Sequence, residues 1–195
     1  MKKTLKVLLV AMMVMGAAVY GFAATSGVGH VYVKITQDAL SLNIYSDSVN
    51  FGAVPTNTAA ISAGADSRIG LTNNGATTID LQLQLTACNT SWTSGLTPAD
   101  NGTDKYVMSG IWTLYDSTPL EADFAANDVI LSASAQTSSA TQFAKDSEAD
   151  ETVKGYNVPF NQDRNLKIRV LTPTAFTNQS GFETRIDLTI TAVAH

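Results

Sequence analysis

A chain of 195 residues with 12 basic and 17 acidic side chains carries a formal charge of −5, and only 15% of it is charged at all. An acidic, sparsely charged chain repels phosphate backbones and anionic headgroups, which argues against nucleic-acid binding and electrostatic docking on membranes. Its one cysteine, Cys88, excludes an intramolecular disulfide, so the fold must stand on its core, and a small buried hydrophobe is the expected state of that thiol.

The chain starts with a basic leader, Met1-Lys2-Lys3-Thr4-Leu5-Lys6, and an apolar run from Val7 to Ala18. About a dozen apolar residues is the length of a signal-peptide core and short of the roughly 20 that span a bilayer. Gly21-Phe22-Ala23 places small side chains where a signal peptidase needs them, which predicts a signal peptide over 1–23 and one mature domain over 24–195. Cleavage removes Lys2, Lys3 and Lys6, so nine basic residues then face 17 acidic ones and the charge becomes −8. No second apolar stretch of that kind follows, so no membrane span is expected after cleavage.

Beyond the leader the apolar period is two, the signature of half-buried strands. Val31, Val33 and Ile35 alternate with Tyr32 and Lys34, and Leu40, Leu42 and Ile44 with Ser41 and Asn43. Asn73-Asn74-Gly75, between Ile69–Leu71 and Ile79–Leu85, reads as a hairpin turn, which would set Arg68 and Asp80 on the outer face of neighbouring strands. Ile79, Leu81, Leu83 and Leu85 form the cleanest alternation. Asn89 to Asp104 is rich in Thr, Ser, Asn and Gly, Ser132 to Thr152 in Ser, Ala and acids, and both are expected to be long surface loops. Ile111 to Leu114 is an apolar strand, and Pro119 to Asn127 has room for a helical turn.

Near the end, Leu166, Ile168 and Val170 alternate with Lys167 and Arg169, and Ile186, Leu188 and Ile190 with Asp187 and Thr189. Side by side, these strands would pair Lys167 and Arg169 with Glu183 and Asp187 on a solvated face. Phe51, Leu71, Leu81, Leu83, Ile168 and Leu188 are the expected core.

Val49-Asn50-Phe51-Gly52-Ala53-Val54, followed by Ser67 to Gly75, resembles the Phe-Gly-x-Val and Thr-Asn-x-Gly hallmarks of bacterial immunoglobulin-like modules of the hydin-like and major-sperm-protein-like kind. The layout as a whole looks like that of small secreted single-domain proteins of uncultured bacteria. The resemblance implies an all-β fold, a single immunoglobulin-like antiparallel β-sandwich. The chain departs from the pattern in its acidic insertion between Ser132 and Thr152.

Catalytic chemistry is thinly supplied. The two histidines, His30 and His195, stand near the mature start and at the last residue, and a nucleophile needs a well-fixed base. No enzymatic activity and no cofactor are therefore expected. Calcium is the one metal worth weighing: Asp100 and Asp104, and separately Asp146, Glu148 and Asp150, alternate oxygen ligands along loops, yet neither set has a closing bidentate Glu, and solvated acidic loops are the simpler reading.

Trp92, in a polar loop, is the candidate sugar platform, set against plain packing over a sandwich end, whereas Trp112 belongs to the core. The small, flexible Thr25–Gly29 feeds the strand of Val31, Val33 and Ile35, which could pair with its own sheet or a neighbour's. The sequence thus points to a non-catalytic structural protein of the cell exterior or periplasm, fimbria-like, surface-layer or matrix. Its partner would be itself by strand pairing. A secreted carbohydrate-binding module with a surface glycan as partner is the alternative.

Overall fold

The computed structural model describes residues 32–34, 42–64, 67–145, 154–177 and 184–195. The chain is all-β, with ten strands in two sheets and, among the described residues, no helix longer than a 3-10 turn. The first sheet has the order β1 (Tyr32–Lys34), β10 (Arg185–Ala194), β5 (Ile79–Cys88), β8 (Gln136–Thr137). The second runs β2 (Leu42–Ser46), β4 (Ile69–Asn73), β9 (Asp163–Leu171), β7 (Lys105–Thr113), β6 (Thr93–Ser94), with β3 (Ala59–Ile61) also on β9. β1 is parallel to β10, and β5 is antiparallel to it.

One apolar cluster joins the sheets. The alternating residues of β5 and β10, among them Leu81, Leu83, Leu188 and Ile190, meet Leu71, Met108, Trp112, Leu166 and Ile168 of the second sheet. Five of the six expected core residues are fully buried, while Phe51 is half-buried and packs on the cluster from its rim. Cys88 is likewise half-buried, with Sγ 3.2 Å from Thr90 Oγ1.

The structure corrects several expectations drawn from spacing alone. Asn73-Asn74-Gly75 does not close a hairpin: β4 lies in the second sheet and β5 in the first, so this segment carries the chain across the core. Neither Asn74 nor Gly75 takes a positive φ. The buried Asn73 side chain instead holds the crossing in place, donating to Thr77 O at 2.9 Å and Val158 O at 3.0 Å and accepting from Gly75 N at 2.9 Å. Arg68 and Asp80 consequently do not share a face; Asp80 accepts from Asn157 N and faces His195 Nδ1 at 2.9 Å.

β9 and β10 also lie in different sheets, so Lys167 and Arg169 do not meet Asp187, and Glu183 lies outside the described residues. Asp187 instead takes Arg185 of its own strand at 2.7 Å. Lys167 and Arg169 are buried rather than solvated, because β7 and β9 are central strands covered on both faces. Lys167 Nζ donates to Gly64 O, and Arg169 Nη2 meets Glu121 Oε1 at 2.5 Å.

The Ser132–Thr152 stretch is not merely a surface loop. β8 pairs with β5, and Phe143 is fully buried in the core, with its carbonyl accepting from Trp112 N at 2.9 Å. Asn89–Asp104 contributes β6 to the edge of the second sheet. In the 119–127 region, two 3-10 turns form at Glu121–Asp123 and Ala126–Asp128.

Candidate functional site

The acidic candidates divide between described and undescribed residues. Asp100 accepts from Lys105 Nζ at 2.8 Å and Leu96 N at 2.9 Å, and these two bonds, the Lys105 one foremost, hold its carboxyl below the usual range. Asp104, at φ 52°, accepts from Thr177 N at 2.9 Å and from the Thr177 hydroxyl. Both carboxylates thus tie loops together. Asp146, Glu148 and Asp150 lie outside the described residues. Among the described residues no three His, Cys, Asp or Glu side chains gather as a metal site would require.

Trp92 is half-buried, and its indole stacks on Phe176 with centroids 5.0 Å apart and planes 3° from parallel. Tyr106 lies 6.3 Å away in a tilted arrangement, with its hydroxyl pushed up by burial. One indole face is therefore covered by the protein's own ring.

Of the strand-pairing residues, Val31 and Ile35 lie outside the described residues, while Val33 stands in β1 opposite Ile186. Over its described residues β1 pairs with Arg185, Ile186 and Asp187 of β10. From Leu188 to Ala194 that side of β10 has no strand against it among the described residues, although its other side pairs with β5 throughout.

A second constellation was not singled out from the sequence. Tyr45 sits at a register shift between Ile44 and Ser46 where β2 pairs with β4, and such bulges re-aim side chains. Its ring lies against Gly70 on β4, where a Cβ would stand 2.2 Å from Cε2. Gly70 pairs with Asn165 of β9, and Asn165 Oδ1 accepts from Arg68 Nε at 2.9 Å. The Arg68 guanidinium lies 3.9 Å from the Tyr115 centroid and 5.9 Å from that of Tyr45. Both tyrosines are about half exposed, at 45% and 50%. Thr72 Oγ1 donates to Asp163 Oδ1 at 2.5 Å in the next cross-strand row. Burial, then the negative charge of Asp163, raises the Tyr45 hydroxyl above its ordinary range. Only sequence-distant residues compose this patch, so neither a motif nor a spacing could have announced it.

No protein family, no curated protein and no solved structure matches the chain.

Proposed function

We propose that this protein is an exported, non-catalytic structural subunit of the cell exterior that assembles by strand addition between copies. The two-sheet architecture, with a first strand parallel to the last, supports an immunoglobulin-like sandwich as its fold. The observation that carries the assembly is the edge of β10. Leu188-Thr189-Ile190-Thr191-Ala192-Val193-Ala194 has no charge and no proline, and natural proteins blunt long edges with such residues unless the edge is to be used. Its inward residues, Leu188, Ile190 and Ala192, are already buried by the core, so an added strand needs to supply mainly backbone hydrogen bonds. β1 pairs with β10 through three described residues, and the equivalent segment of a neighbour could take the same place.

The test is the mass in solution of the mature chain, by light scattering, with electron microscopy of the same sample. Oligomers or fibres are expected, and deletion of 25–35 should abolish them while a synthetic peptide of that segment binds the truncated domain. A mature chain that stays monomeric at every concentration, with the deletion leaving a stable domain of unchanged size, would overturn the reading.

A further inference from the structure

We propose that Tyr45, Arg68, Tyr115 and Asn165 form a binding patch for uncharged polysaccharide on the outer face of the second sheet. The patch is independent of strand addition, which uses the edge of the first. Single exposed aromatics are ordinary, but here two half-exposed rings converge on a single guanidinium. Arg68 stacks on Tyr115 and is fixed through Nε by Asn165, so the guanidinium is held in one place between the rings. The Tyr45 ring is seated on Gly70, a floor without a side chain, and stays 45% exposed.

Half-exposed rings beside a guanidinium, an amide and the carboxylate of Asp163 are what a sugar needs: its C–H groups stack on the exposed ring surface and its hydroxyls bond to the polar groups around it. The charge balance selects the class of sugar. Arg68 and Asp163 both act on Tyr45 with opposite charge, so the patch carries no excess of positive charge, and the chain as a whole is acidic; a polyanionic glycan is therefore repelled and a neutral one is not. The position also fits an assembled subunit, since the patch lies on a sheet face and the proposed junction lies on the edge of the other sheet.

Affinity electrophoresis of the mature protein through gels containing hydroxyethylcellulose, xylan or galactomannan tests this, with polygalacturonate as the charged control. Retardation by at least one neutral polymer and not by polygalacturonate is expected. Tyr45→Ala and Tyr115→Ala should each weaken it about tenfold or more, whereas Tyr45→Phe keeps the ring and should retain most of it. Gly70→Ala displaces the Tyr45 ring without deleting it and should weaken binding too, with circular dichroism confirming that each variant is folded. Trp92→Ala should leave retardation unchanged. No retardation in any neutral polymer, retardation by polygalacturonate alone, or loss on Trp92→Ala with none on Tyr45→Ala would each overturn the assignment. None of these outcomes depends on whether the protein oligomerises.

Discussion

Trp112 and Gly155 meet so closely that a Cβ on Gly155 would stand 2.1 Å from the indole Nε1. The indole is fully buried, and Nε1 donates to Ser138 Oγ at 3.0 Å, so the ring cannot shift without breaking a covered hydrogen bond. Gly155→Ala is therefore expected to cost about 1–3 kcal/mol through overpacking. Urea unfolding followed by tryptophan emission would measure it, and a midpoint equal to that of the parent protein would show that the contact is slack.

Leu83 is fully buried in the core and pairs with Ile190 across β5 and β10. Leu83→Ala should lower stability by about 2–5 kcal/mol, whereas Phe51→Ala at the rim should cost less than the ~3–5 kcal/mol of a fully buried phenylalanine. Thermal midpoints of the two variants decide the order; a larger loss for Phe51→Ala contradicts the burial of each.

Arg169 is almost fully buried, and among the described residues Nη2 meets Glu121 while Nε and Nη1 find no partner. A guanidinium covered in this way costs stability, so Arg169→Met is expected to be neutral or stabilising. Glu121→Ala leaves the same charge without its carboxylate and should destabilise by about 1–3 kcal/mol. Opposite signs in guanidinium unfolding check the pair; a loss of several kcal/mol in Arg169→Met would show that the guanidinium is satisfied.

Tyr106 has its hydroxyl raised by burial, so its neutral form is favoured in the folded protein. Its contribution is fully present below the ordinary tyrosine value of about 10. Above that, the unfolded chain ionises first, and stability falls as pH rises toward the folded value. Tyr106→Phe should flatten this alkaline loss, as read from thermal midpoints between pH 9 and 11.5. An unchanged slope would assign the loss to other groups.

The export proposal predicts that secreted protein begins at Ala24 or within a residue of it. Intact-mass measurement of material recovered from outside the cytoplasm reads this directly. Retention of Met1 to Ala18 would count against a cleaved leader.

Period-two alternation made β5, β9 and β10 legible, because one face of each must be apolar to meet a core. The same alternation misread Lys167 and Arg169: it tells which residues share a face of β9, not that Gly64 and Glu121 will come to cover that face. The Asn73 segment shows the second limit. Asn and Gly after a strand announce a change of direction, but whether the next strand pairs with the last or crosses to the other sheet is decided by Val158, eighty-odd positions away. Phe143 was missed for a related reason, since a single aromatic in a polar stretch has no period to betray it. Asp100 and Asp104 were correctly placed in loops, and what they bind, Lys105, Leu96 and Thr177, could be seen only once the loops were folded.

The place of β10 in the first sheet also orders events in time. It lies farthest along the sequence of the described strands, yet among them it alone touches both β1 and β5, pairing Val33 with Ile186 and Cys88 with Ile186 on opposite sides. A polypeptide emerging from its N-terminus therefore holds β1 and β5 without a template for joining them until β10 has emerged. Contacts so far apart in sequence close slowly, on the scale of milliseconds to seconds rather than microseconds. A chain that must pass a narrow channel before folding gains from such lateness, since the sheet that would jam it cannot close until β10 is through.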